Sequence, residues 1–363
     1  MRVPLAFCAI FVLILAACGV QAEPDAEPEG RVATLSGNPP IIIAHRGASG
    51  ERPEHTLAAY RLAIEQGADF IEPDLVLTRD GVLVARHENE ISETTDVADR
   101  PQFANRKTIK TIDGQRHEGW FTEDFTLAEL KTLRAKERLP ELRAANTGYD
   151  GQYQVPTFEE ILQLLKGQKE KSGRRVGVYP ETKHPGYFKA LGLDHDEELL
   201  RLLEEYGYGG AADPVFIQSF EVGNLKILAT KTDIRLVQLV AGEGGPPDDP
   251  GRTYASMLTA KGLAEIATYA GGIGPSKDLV IGRNAIGQLG EPTGLVKAAH
   301  NAGLLVHPWT FRRENYFLPT DFKSGIDPRV AGDLAGEVRA FVAAGVDGLF
   351  SDNPGLAVAA TKR

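Results

Sequence analysis

Apolar positions along the chain fall into a repeating unit: an amphipathic stretch of helical period, a glycine, a short apolar run, and a polar residue where that run ends. Residues 56–66, Gly67 and the run from Phe70 form one such unit. Residues 295–302, Gly303 and Leu304-Leu305-Val306-His307 form another, and 337–344, Gly345 and Gly348-Leu349-Phe350 a third. A glycine at that place suits a helix end that needs a left-handed residue. Further apolar runs lie at 41–44, 175–183, 215–218, 234–239 and 271–275, and further helical stretches at 196–205, 222–230 and 260–270. Counted together they give eight strands, with helical stretches alternating between them, which predicts an α/β fold, the TIM (β/α)8 barrel. A doubly wound open sheet, the alternative, would gather its polar groups at one switch point, whereas here they close several strands in turn.

Two stretches depart from this unit. Around Asp80-Gly81 the runs 74–78 and 82–87 read as a hairpin with a two-residue turn, which pairs Arg79 with Val82 and, counting back, Asp74 with His87. Residues 88–156 are too many for a barrel loop, and they read as a small insertion subdomain over the mouth after the second strand. Within it a helix should open at Thr126, boxed by Glu129, and run through Leu127, Leu130 and Leu133, with Trp120-Phe121 packing it down. Thr157 with Glu160 then opens the next barrel helix. From the residues alone the insertion serves equally as a partner-binding cap.

The strand ends carry the candidate chemistry. His45 and Arg46 close the run Ile41-Ile42-Ile43-Ala44; arginine grips phosphate in a planar fork and histidine exchanges protons near neutral pH. Glu72 and Asp74 share one side of their strand, with Pro73 expected at its frayed C-terminal end. Glu181 and Lys183 share a side of a third strand, and the hairpin brings His87 to the carboxylates. Glu72, Asp74 and Glu181 form a hard oxygen set with no cysteine nearby, which favours one divalent ion, calcium or magnesium, with manganese as a further candidate. Arg46 and Lys183 supply positive charge for an anionic substrate. Trp309 and Phe311, two apart, are candidates for the pocket wall, as is Phe220 beside Gln218. His307 and His55 read as structural, and His117, His184, His195 and His300 show no partner pattern.

A net charge of −10 argues against nucleic acid or an anionic membrane face as a partner, and no nucleotide-binding glycine loop is present. At the start, Arg2 precedes an apolar run at 7–15 too short to span a bilayer, so residues 1–17 read as a secretory signal. Leu15-Ala16-Ala17-Cys18 resembles a bacterial lipobox, which implies lipidation of Cys18. Gly19 in place of an aspartate implies delivery to the outer membrane where the cell has one. Residues 18–39 would then be an acidic linker, with Glu23, Asp25, Glu27 and Glu29, ahead of a barrel domain over 40–360. Cys8 falls within the discarded leader, so no internal disulfide is expected.

The motifs as a set resemble the glycerophosphodiester phosphodiesterase family, in its periplasmic bacterial branch. They are HRGASG at 45–50, PEHTLAAY at 53–60, EPDLVLTRDG at 72–81, RHE at 86–88, TTDVADR at 94–100, YPETK at 179–183, VHPWTFR at 306–312 and GLFSDNP at 348–354. The departure is Glu88, where that family commonly carries aspartate. The resemblance implies metal-dependent hydrolysis of a glycerophosphodiester to glycerol 3-phosphate and an alcohol, in the periplasm or on the outer membrane. The site would use His45 and His87 as acid and base, Arg46 and Lys183 to neutralise phosphoryl charge, and Gln218, Phe220, Trp309 and Phe311 to contact substrate. It further implies that residues 88–156 shape the glycerol end of the pocket and that the glycerol 2-hydroxyl attacks first. The implied partner is a small molecule, with membrane contact through the lipid anchor alone. Two rivals are a phospholipase acting on intact lipid and a non-catalytic surface lipoprotein. The first needs an apolar rim that residues 88–156 lack; the second would be free to lose a ligand or a histidine, and every position is filled.

Overall fold

In the computed structural model, which describes Met1 and residues 33–361, the apolar runs become short strands. The proposed leader, Cys18 and the acidic residues of the linker lie outside the described residues. In chain order the strands are β1 (Ile41–His45), β2 (Phe70–Glu72), β3 (Asp74–Leu77), β4 (Leu83–Ala85), β5 (Thr108–Ile112), β6 (Gln115–Gly119), β7 (Gly177–Val178) and β8 (Glu181–Thr182). They continue with β9 (Phe216–Ser219), β10 (Arg235–Val240), β11 (Gly272–Pro275), β12 (Ile281–Arg283), β13 (Leu289–Pro292), β14 (Leu305–Val306) and β15 (Gly348–Ser351).

Parallel pairing runs β15-β1-β2-β7 and β3-β8-β9-β10-β11-β14. The ring closes between the ends of this series: Asp347 N donates to Val306 O and Phe350 N to Pro308 O, both at 3.0 Å. β2 with β3, and β7 with β8, act as single barrel strands interrupted at Pro73 and at Tyr179-Pro180. Across those interruptions Tyr179 N still donates to Ile71 O, and Glu181 N to Pro73 O, each at 2.9 Å. Pro73 therefore does not end its strand, as expected, but divides it, because the missing donor is needed by neither neighbour there. The result is a TIM-barrel-like α/β fold.

Alternation along the strands divides the core in two. Ile43, Phe70, Tyr179, Phe216, Val237 and Phe350, one from each of six barrel strands, meet in an inner cluster, with Tyr179 and Phe216 stacked at 4.8 Å. Their neighbours Ile42, Ala44, Ile71 and Ile217 face the helices. The glycines that end the repeating units, Gly67, Gly303 and Gly345, have φ of 94°, 77° and 87°, the left-handed conformation they were expected to supply. Among the described residues no helix is long and apolar enough to cross a membrane.

Three local readings are corrected. The hairpin pairs Leu77 with Leu83, Val76 with Val84 and Leu75 with Ala85, one residue out of the expected register. Its loop has three residues, Arg79 to Gly81, with Gly81 left-handed at φ 77° and Thr78 N bonded to Val82 O. Asp74 therefore faces Arg86, whose N–H it accepts at 3.0 Å, rather than His87. Within residues 88–156, Thr126 and Glu129 do form a capping box, but the helix is one turn, Leu127–Leu130, and stops before Leu133. That stretch also carries the β5–β6 hairpin, and it returns beside its start, since Ala85 N donates to Pro156 O at 3.0 Å. The β12–β13 hairpin was not anticipated.

Candidate active site

Strand ends from around the ring enclose a cavity of about 370 Å³. His45, Arg46, Glu72, His87, Glu181 and Lys183 line one side of it, and Gln218, Phe220, Leu239 and Trp309 the other, with Arg312 and Thr310 at the rim. Asp74 completes the carboxylate group: one oxygen from each of Glu72, Asp74 and Glu181 lies within 4.8 Å of the other two, and all three side chains are buried. Register produces this crowding, because β3 and β8 align Asp74 with Glu181.

The cluster is electrostatically strained. Burial pushes Glu72 well above the usual carboxylate range, and the charges of Asp74 and Glu181 add to it. Glu181 is pushed up to about 8 by burial, against the pull of Lys183 Nζ at 2.9 Å. Asp74, although buried, is held well below its ordinary value by the hydrogen bond from His55 and by the positive charges facing it. Its Oδ2 meets His55 Nε2 at 2.9 Å, while its Oδ1 has no hydrogen-bond partner. A buried, unpartnered oxygen among three crowded carboxylates fits a hard divalent cation. Glu72, Asp74 and Glu181 are the residues that would hold such an ion.

Arg46 takes a left-handed backbone, φ 60°, which turns its N–H onto Glu72 Oε2 at 2.8 Å and its guanidinium onto Glu54, 3.0 Å away. A non-glycine residue held there marks a position fixed by its surroundings. His45 Nδ1 meets Asp352 Oδ1 at 2.6 Å. Burial, then the charge of Arg46, lowers His45 to about 4, so it is neutral near pH 7 with Nδ1–H donated to Asp352. Asp352, despite its burial, stays well below the usual range because Arg312 and Arg143 both bind it. His87 follows directly on Arg86, beyond the end of β4. Its side chain keeps 30% of its surface, and burial together with Arg46 and Lys183 lowers it to about 3. Its Nδ1 contacts Glu88.

On the opposite wall Phe220 and Trp309 meet edge to face at 6.0 Å, and the indole Nε1 donates to Gly274 O at 2.8 Å. Gln218 donates to Glu72 Oε1 at 3.2 Å. Phe311 does not join this wall. It is fully buried against Phe341, 4.8 Å away, because β14 ends at Val306 and regular alternation does not carry on to residues 309 and 311.

Residues 45–356 match the sequence profile described as the Glycerophosphoryl diester phosphodiesterase family. The chain belongs to that family. A glycerophosphodiester phosphodiesterase of Arabidopsis thaliana is 37% identical to it over 94% of this chain and 92% of the relative. One from Haemophilus influenzae is 32% identical over 83% and 87%. Among solved structures, an Oleispira antarctica phosphodiesterase in complex with the product sn-glycerol-3-phosphate has a TM-score of 0.58 at 20% identity, covering 90% of this chain and 98% of that one. A glycerophosphodiester phosphodiesterase from Agrobacterium tumefaciens scores 0.55 at 21% identity, covering 88% and 99%. These two likenesses concern the fold.

Several family-chain residues at the site escaped the sequence reading. Asp352 behind His45 and Glu54 behind Arg46 lie within the quoted motifs GLFSDNP and PEHTLAAY, and Asp352 obeys the strand-end rule that found the others. Arg138 and Arg143 had no such signal. His55, read as structural, is fully buried between Asp74 and Tyr60 and holds a carboxylate of the cluster. His307, also read as structural, bonds Tyr179 at 2.9 Å inside the barrel.

Proposed function

We propose that the protein hydrolyses glycerophosphodiesters to glycerol 3-phosphate and an alcohol, with His45 and His87 exchanging protons and a divalent cation held by Glu72, Asp74 and Glu181. The observation that carries this is the meeting, in one cavity, of the buried carboxylate cluster with two histidines and the cations Arg46 and Lys183. When bound, the cation would polarise the phosphoryl group and lower the pKa of the attacking hydroxyl. Arg46 and Lys183 neutralise charge gathering on the phosphoryl oxygens, and do so at low cost because Glu54 and Glu181 already hold them in place. One histidine takes the proton of the attacking oxygen as the new P–O bond forms. The other gives a proton to the departing alkoxide as the old one breaks. The base starts neutral, as burial and the cations beside both rings favour, while the acid starts protonated, its charge supported by the bound phosphodiester anion. The nucleophile is water, or the 2-hydroxyl of the glycerol itself, in which case water then opens the cyclic phosphate to glycerol 3-phosphate. Phe220 and Trp309 would enclose the rest of the substrate, and residues 88–156 would act as a subdomain over its glycerol end.

The hard oxygen donors favour calcium, magnesium or manganese. The assay is release of glycerol 3-phosphate from glycerophosphocholine with each metal, beside intact phosphatidylcholine. Turnover of the diester alone is expected; turnover of the intact lipid alone would favour the phospholipase reading, and turnover of neither the binding-protein one. The lipobox supports a further proposal, that Cys18 is lipidated and anchors the enzyme at the cell envelope of a bacterium. Fatty-acid labelling should mark wild type and not Cys18→Ala, and an unlabelled wild type would contradict the anchor.

A further inference from the structure

Residues 88–156 send two arginines, five positions apart, to the backs of the two histidines; neither lines the cavity. Arg138 donates from Nε and Nη2 to the two oxygens of Glu54, at 2.9 and 2.7 Å, and from Nη2 to Glu88 Oε2 at 2.5 Å. The other oxygen of Glu88 meets His87 Nδ1, and Glu54 in turn holds Arg46. Arg143 donates from Nη2 to Asp352 Oδ2 at 2.6 Å, from Nε to Glu314 at 2.7 Å and from Nη1 to Ser49 O at 3.1 Å. The other oxygen of Asp352 meets His45 Nδ1.

A histidine transfers a proton usefully in one ring orientation and one tautomer, and both are set by what its far nitrogen meets. A carboxylate fixes that nitrogen only if it is itself fixed. Glu88 keeps 34% of its side-chain surface and has three rotatable bonds, and among the described residues only Arg138 restrains its second oxygen. A guanidinium, planar and forked, supplies that restraint where an ammonium would pivot. The segment between the arginines is stiff as well: Glu137 accepts from Leu139 N and from Asn146 Nδ2, each at 2.9 Å.

We infer that Arg138 and Arg143 are positioning residues for the reaction, Arg138 orienting His87 through Glu88 and Arg143 orienting His45 through Asp352. Residues 88–156 then contribute to turnover, beyond any part in shaping the pocket. The inference rests on the phosphodiesterase reading given above.

The test is steady-state hydrolysis of glycerophosphocholine by the full chain at saturating metal, with melting curves for each variant. Arg138→Ala should lose kcat by roughly a hundredfold with KM little changed, the scale seen when a catalytic group is misplaced. Arg138→Lys should fall between it and wild type. Added guanidinium ion should restore part of the kcat of Arg138→Ala and none of that of His87→Ala. Arg143→Ala would strand Glu314 as a buried unpaired charge and leave Asp352 to Arg312 alone, so Arg143→Lys is used, with a kcat loss of about tenfold expected from the same loosening. The inference is overturned if Arg138→Ala keeps wild-type kcat, changes KM alone, or loses kcat only in proportion to its unfolded fraction. An inactive wild type would sink the phosphodiesterase reading and this inference with it, whereas an active wild type beside an unaffected Arg138→Ala sinks the inference alone.

Discussion

Around the barrel mouth, β1, β2–β3 and β7–β8 present His45, Arg46, Glu72, Asp74, Glu181 and Lys183, while β9, β10 and the turn after β14 present Gln218, Phe220, Leu239 and Trp309. The first arc is ionic and densely cross-braced. The second is largely apolar, its ionic contacts reduced to Gln218 on Glu72 and the Lys183 ammonium 5.8 Å from the Phe220 ring. Such a division separates bond making from shape. Charges on the ionic arc act across a cavity whose far wall is largely apolar, where each interaction is stronger than in bulk solvent. Substitutions on the ionic arc should therefore change kcat, and those on the apolar arc KM.

The largest expected break comes from His87→Ala. Removal of a proton-transfer group typically costs roughly a hundred- to ten-thousand-fold in kcat, and added metal should not restore it. Near-normal turnover in this variant would end the assignment. A smaller effect is expected across the cavity. Trp309→Ala removes an apolar wall, and a loss of about 1.4 kcal/mol in binding would raise KM about tenfold, with kcat close to wild type. If Trp309→Ala instead lowered kcat as much as His87→Ala does, the two arcs would not differ in kind.

Much of the barrel was legible because its signals are local. A glycine at a helix end, an apolar run and a capping box each act within a few residues, and Gly67, Gly303, Gly345 and Thr157 all did what their neighbours required. Glu72, Asp74 and Glu181 were legible for the same reason, as strand-end residues two apart or in register. The hairpin register was misread because Asp-Gly closes either a two- or a three-residue loop, and the Thr78 hydroxyl, bonded to Asp80 at 2.7 Å and accepting from Val82 N, favours the longer one here. The arginines were illegible in principle: Arg143 meets Asp352 from 209 residues away, and no periodicity encodes such a pairing. Phe311 was misplaced because a period-two rule was carried past the end of a two-residue strand.

The central claim, that the ionic arc holds a divalent cation beside two histidines, is tested most directly by metal titration of chelator-stripped enzyme. Glycerol 3-phosphate release from glycerophosphocholine is followed as calcium, magnesium or manganese is returned to wild type and to Glu72→Gln, which keeps the side chain's size and removes its charge. Wild type should be inactive when stripped and recover fully, while Glu72→Gln should need at least about ten times more metal, the scale of losing one charged contact, for a partial recovery. A stripped wild type that stays fully active, or a Glu72→Gln curve that overlays that of wild type, would contradict the account.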